Sequence, residues 1–175
     1  MGIEIQILDW IQSLHGPAGD VFWPLVTRLG DAGGIWILLA VVLLLIPGTR
    51  KSGVILAAAL CVDLVLCNRI LKPVIARVRP FDVNTAVSLL IPRPGDFSFP
   101  SGHTAASFTA VAALYFAGEK KLWKPALVLA SLIAFSRLYL YVHYPTDVLG
   151  GMALGVIAGF MGCVIVKFCK RILSG

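Results

Sequence analysis

Charge is what this sequence has least of. Of its 175 residues only 14% are Asp, Glu, Lys or Arg while 58% are hydrophobic, too little polar side chain to cover a soluble domain of this size. A membrane protein is the reading, and about five spans of roughly 20 residues would consume most of the chain, leaving no room for a second domain. Residues 1–175 are therefore expected to form a single integral-membrane domain. The four cysteines, Cys61, Cys67, Cys163 and Cys169, sit inside or at the edge of apolar runs, with no Cys-x-x-Cys pattern and no metal-like His neighbours. They read as reduced packing residues, and neither a metal nor another cofactor is expected. The amino terminus has no Lys or Arg before its apolar residues, and Glu4 and Asp9 interrupt them. That argues against a cleaved signal peptide and places the start of the mature chain near Met1. The net charge of +6 does not call for nucleic acid, because the cations fall between apolar runs rather than along one solvated stripe.

Residues 1–30 read as an interfacial segment. Ile3, Ile7, Trp10, Ile11 and Leu14 share one face of an amphipathic helix over 3–14, and 20–29 is a second short helix that packs on the bundle or dips into the bilayer. Apolar runs then predict spans near 33–46, 53–71, 104–117, 125–141 and 148–168, with a polar, proline-rich loop from 72 to 100. Two cations follow the first span (Arg50, Lys51), three the third (Lys120, Lys121, Lys124) and three close the chain (Lys167, Lys170, Arg171). All eight lie on one side of a five-span bundle, which puts that side and the carboxyl terminus in the cytoplasm. The expected fold is an all-α, polytopic membrane helix bundle with an N-terminal amphipathic helix. Gly151, Gly155 and Gly159 repeat every four residues in the last span, which permits close helix approach.

Against this charge rule, Lys72, Arg77, Arg79, Arg93 and Arg137 fall on the outer side. Cations there need an anion to justify them. Pro100-Ser101-Gly102-His103 runs into small residues and reads as a helix start, with Ser101 as cap and unpaired amides facing an anion. Six residues separate Lys72 from Arg79-Pro80, five separate Ser136-Arg137 from His143, and three separate His143 from Asp147. These three stretches, across residues 72–147, resemble the motifs of the type 2 phosphatidic acid phosphatase superfamily in content, spacing and order. The resemblance implies a helical membrane bundle that hydrolyses phosphate esters or anhydrides without a metal, through a phosphohistidine. The short amino-terminal part and five-span layout are similar to the bacterial undecaprenyl-diphosphatases of that family.

The residue chemistry supports the same site. Phosphoryl transfer spreads charge over three equatorial oxygens, which Lys72, Arg79 and Arg137 can hold together with Ser101 and the Gly102 amide. Asp147, one helical turn beyond His143 across Pro145, can fix the ring's tautomer and leave the other nitrogen to attack. His103, at a helix start with no carboxylate near it in sequence, is then the acid that protonates the leaving oxygen and later activates water. Arg77 and Arg93 are weaker candidates for substrate contact, and His15 reads as a hydrogen-bonded structural residue. Asp63 lies within the second span, where it needs a polar partner such as Asn68. Tyr139, Tyr141 and Tyr144 are expected at the outer interface, near the lipid entrance.

The expected partner is a lipid phosphate in the cell membrane, met by a site facing outside. Undecaprenyl diphosphate is the preferred substrate. Phosphatidylglycerol phosphate, phosphatidic acid and lipid A phosphates are alternatives. Vanadium-dependent haloperoxidases share the anion motifs but are soluble, and a lipid-binding or transport protein is the non-enzymatic alternative.

Overall fold

The computed structural model describes residues 2–173, so Met1, where the sequence reading starts the mature chain, lies outside the described residues. Every regular element among the described residues is helical. In chain order the α-helices are α1 (Ile3–Gln12), α2 (Pro17–Leu29), α3 (Gly34–Leu45), α4 (Arg50–Asp63), α5 (Lys72–Ile75), α6 (Pro80–Val83), α7 (Gly102–Ala117), α8 (Trp123–Tyr139) and α9 (Pro145–Leu173), with short 3-10 turns at Asp31–Gly33 and Pro47–Thr49. Between α4 and α5, Leu64–Leu71 winds as a π-helix. The loop expected over 72–100 thus contains two four-residue helices, each with a proline in its first turn, where the missing N–H has no helical partner to lose.

Length and apolar composition mark Pro47–Val83 and Pro145–Ile172 as able to cross a membrane, and a third crossing if α2 and α3, bent by 42°, act as one. The remaining predicted spans, α7 and α8, are helices of 16 and 17 residues.

The core is built on α7. Ten of its residues from Thr104 to Leu114 are buried, and most of them are Ala, Ser or Thr, so neighbouring backbones come close. α9 supplies the matching face. A Cβ at Gly155 would lie 2.6 Å from the Ala105 carbonyl oxygen and 2.7 Å from the Thr109 nitrogen, and one at Gly159 would lie 2.5 Å from the Ala112 methyl. The four-residue glycine repeat is therefore a packing seam. From α3, Trp36 is 2% exposed and donates its indole N–H to Ser107 Oγ at 2.9 Å, which satisfies its one polar atom.

Of the apolar face expected for α1, Ile11 alone turns inward. Ile3, Ile7, Trp10 and Leu14 are exposed, Ile11 is buried, and Ile5 and Leu8 are buried against Phe81, Leu140, Tyr141 and Val142. The segment is apolar on two sides, and the bundle takes the side that carries Leu8. Of the cysteines, Cys67 and Cys163 are buried as packing residues, whereas Cys61 and Cys169 are exposed.

Candidate active site

The three polar stretches converge at one end of the bundle. Lys72 opens α5, Arg79 caps α6, Gly102 and His103 open α7, Arg137 lies in the last turn of α8 and Asp147 in the first turn of α9. Lys72, Arg79, Gly102, His103, Arg137 and His143 line a single cavity of 820 Å³. The same cavity continues between α3 and α4 along Ile37, Val41, Leu44, Ala57, Leu60 and Leu64. One end carries the cations together with Asp31 and Asp96, and the wall beyond is mostly hydrocarbon, interrupted by Asp63 and Asn68.

His143 is 1% exposed and sits in the turn between α8 and α9. An Arg79 guanidinium nitrogen lies 3.3 Å from its Nε2 and also donates to the Val142 carbonyl at 2.6 Å. Guanidinium can only donate, so Nε2 accepts and the ring proton belongs on Nδ1. Nδ1 faces Asp147 Oδ2 at 3.5 Å. That is ion-pair reach, but Nδ1 completes no hydrogen bond in the free site. Oδ2 is already occupied, accepting from Ser98 Oγ at 2.5 Å and from the Tyr144 N–H at 2.9 Å. Burial, with the nearby Arg79 and Arg137 cations, outweighs Asp147 and holds the His143 imidazole down at about 3, so the ring is neutral near pH 7.

All three cations line the cavity, and each is engaged by a partner within the protein. Arg137 is 3% exposed and donates to Thr27 Oγ1, yet its Nε–H has no partner. A buried guanidinium donor left unpaired on a cavity wall is a place prepared for an anion. Lys72 and Arg79 share the carboxylate of Asp96, with Arg79 2.5 Å from Oδ1 and Lys72 on Oδ2. Burial pushes the Asp96 carboxyl up, but the hydrogen bonds and charges of Lys72 and Arg79 outweigh it and hold it at about 2. Ser101 caps α7 and does not line the cavity: its Oγ accepts from Thr104 Oγ1 at 2.9 Å, and its N–H donates to the Asp147 carbonyl at 3.0 Å.

His103 has a carboxylate partner that its sequence neighbourhood does not show. Its Nε2 lies 2.8 Å from Asp31 Oδ1, at the bend between α2 and α3. Arg77, Ser98, Asp96, Thr27 and Asp31 are thus the site residues that the motifs do not point to. Arg77 NH1 donates to Asp147 Oδ1 at 2.6 Å and its NH2 to Glu4 Oε2 at 2.5 Å. The one signal for Arg77 was its place on the wrong side of the charge rule.

Other expectations divide. His15 is hydrogen-bonded to the Tyr139 carbonyl at 2.9 Å and stacks on that ring, as a structural residue should. Arg93 pairs with Asp82 at 2.9 Å rather than entering the cavity. Tyr139, Tyr141 and Tyr144 are buried and do not line the cavity. Asp63 faces the cavity with Oδ1 unpartnered, so the pairing expected with Asn68 is not made by that oxygen.

Comparison with known proteins settles the family. The sequence model of the PAP2 superfamily matches residues 51–171. The chain belongs to that superfamily. It is 35% identical to an undecaprenyl-diphosphatase of Sulfolobus acidocaldarius over 131 residues, 75% of this chain and 63% of that protein. It therefore spans just under two thirds of that relative's length. It is 29% identical to a lipid A 4'-phosphatase of Bacteroides thetaiotaomicron over 98% of this chain and 81% of that one. The crystal structure of LpxE from Aquifex aeolicus superposes with a TM-score of 0.77 at 30% identity, covering 93% of this chain and 95% of that one. This PAP2 chain thus has the membrane-phosphatase fold, and Lys72, Arg79, Arg137, His103 and His143 fall inside the family match, whereas the cavity wall from Thr27 to Leu44 lies before it.

Proposed function

We propose that this PAP2 chain is a membrane lipid phosphatase that removes the terminal phosphate of undecaprenyl diphosphate outside the cytoplasmic membrane. The observation that carries the reading is the continuity of the cavity. The cations that would hold a phosphate stand at the end of an apolar channel between α3 and α4, which suits a phosphate carried on a hydrocarbon tail. Lys72, Arg79 and Arg137, with the Gly102 amide at the start of α7, take the phosphate oxygens, and Ser101 supports that helix start.

In the first step the lone pair of His143 Nε2 attacks the terminal phosphorus. The bond to the bridging oxygen breaks, and His103 gives that oxygen its proton. In the second step His103 takes a proton from water, the water oxygen attacks phosphorus, the P–N bond breaks and phosphate leaves. Asp147 stabilises the charge that develops on the His143 ring. The five crossings are α3, α4 with its π-wound continuation, α7, α8 and α9. The eight cations of the loops opposite the site and of the carboxyl end face the cytoplasm, and α1, with Ile3, Ile7, Trp10 and Leu14 exposed, lies in the outer interface.

The test is phosphate release by detergent-purified protein in excess chelator from undecaprenyl diphosphate, phosphatidylglycerol phosphate, phosphatidic acid and lipid A phosphates, beside His143→Ala. Release is expected to be fastest from undecaprenyl diphosphate and to vanish in the variant. Faster release from another of these lipids reassigns the substrate, a metal requirement overturns the mechanism, and no release from any of them returns the chain to lipid binding.

A further inference from the structure

We infer that Asp31 is a positioning residue for His103, so that the site contains two histidine–carboxylate pairs, the second supplied by the bend between α2 and α3. The inference rests on the phosphatase reading and extends it to a part of the chain outside the family match, which begins at residue 51.

Three independent features of the bend point at His103. Asp31 Oδ1 lies 2.8 Å from Nε2, and a carboxylate at neutral pH can only accept, so the proton sits on Nε2. Gly30 leaves room for the ring, because a Cβ there would stand 2.9 Å from His103 Cδ2 and 3.0 Å from the Ile133 side chain. After Asp31, Ala32 and Gly33 both adopt left-handed backbone, with φ of 50° and 70°. Alanine is rarely found there, so the chain holds an unfavourable turn where the carboxylate meets the imidazole. The same bend is fastened to the site from α2, since Thr27, 2% exposed, accepts from Arg137.

The chemical consequence follows from which nitrogen is committed. With Nε2–H held by Asp31, Nδ1 is the nitrogen left to exchange a proton with the leaving oxygen and then with water. Lys72 and Arg137 line the same cavity as this ring, and the Asp31 carboxylate is the anion set against it. Asp31 therefore fixes the ring's rotation and tautomer, and its charge stabilises the imidazolium that forms whenever Nδ1 takes up a proton. Asp147 does the corresponding job for His143.

The experiment compares wild type, Asp31→Asn and Asp31→Glu on two phosphate esters in chelator. Dodecyl phosphate expels an alkoxide and depends on the acid, whereas 4-nitrophenyl phosphate expels a stable phenolate and does not. For Asp31→Asn, kcat on dodecyl phosphate is expected to fall about thirtyfold with KM little changed, and kcat on the aryl ester less than about threefold. Asp31→Glu is expected to recover most of the loss. Equal losses on both esters, or none on either, overturn the inference. If wild type cleaves neither ester nor any lipid phosphate, the phosphatase reading itself fails, and the ring nitrogens still decide the role of Asp31. With only three histidines in the chain, ¹⁵N spectra of the imidazoles can be assigned by single substitutions. The His103 signal is expected to report Nε2–H in wild type and to lose that preference in Asp31→Asn. An unchanged spectrum overturns the inference.

Discussion

An Arg79 guanidinium nitrogen lies 3.3 Å from His143 Nε2 and holds that nitrogen as an acceptor before any substrate arrives. The same side chain grips the Asp96 backbone and carboxylate and the Val142 carbonyl. A lysine can supply the charge but not this planar fork. Arg79→Lys is therefore expected to lower kcat/KM by a hundredfold or more, about 3 kcal/mol of lost transition-state stabilisation, comparable to removing one oxyanion donor. Steady-state phosphate release checks it, and a loss under threefold would mean that charge alone suffices.

The His143 ring is held neutral by burial and by the cations around it, at about 3 rather than 6.5. The folded state thus disfavours the protonated ring. The stability this gives is fully present above the ordinary histidine value and is lost progressively as pH falls from about 6.5 towards about 3. Between pH 8 and pH 5 the His143 ring ¹⁵N signals of the substrate-free protein are expected to stay in place. A midpoint near pH 6.5 would show that water reaches the ring.

How far the sequence was legible depends on the distance over which a residue finds its partner. Helices are local, and a helical segment covers each predicted span to within a few residues at either end. His143 and Asp147 are one helical turn apart, and Ser101 to His103 mark a helix start, so motif spacing carries their geometry. His103 meets Asp31 across 72 positions and Arg137 meets Thr27 across 110, and no periodicity encodes such pairs. The side of α1 that meets the bundle was not legible for a related reason. Its apolar residues fall on two sides, and only the packed bundle decides that Ile5, Leu8 and Ile11 turn inward. The π winding of Leu64–Leu71 has no residue signature, because Leu, Val and Ile serve an α-helix equally well.

Arg77 links the amino-terminal helix to the site. Its guanidinium reaches Glu4 and Asp147 and lies 3.9 Å over the Tyr144 ring. Removing it leaves the buried Asp147 carboxylate without its cation, so Asp147 should shift and His143 lose its orientation. Arg77→Gln is expected to lower kcat about tenfold. Glu4→Gln, which breaks only the half-buried outer pair, should keep kcat within twofold while lowering the unfolding temperature slightly, since such a pair contributes roughly 1 kcal/mol or less. Equal kinetic losses in both variants would assign the effect to α1 as a whole.

Asp96 occupies the cations that a phosphate needs. Its two carboxylate oxygens engage Lys72 and Arg79, while its side chain is 54% exposed at the mouth of the cavity, with room to swing away. Substrate binding must then exchange one anion for another on the same pair, and the internal carboxylate weakens the apparent affinity for the external one. Asp96→Asn removes the competing charge, so the inhibition constant of orthovanadate is expected to fall about fivefold. The carboxyl is held at about 2, below its usual 3.8, so its charge is fully present above that usual value and is lost only as pH falls towards about 2. The difference between variant and wild type should therefore be constant from pH 5 to pH 8. A higher inhibition constant in Asp96→Asn would mean that the carboxylate organises Lys72 and Arg79 for phosphate rather than competing with it, because two cations with nothing between them repel.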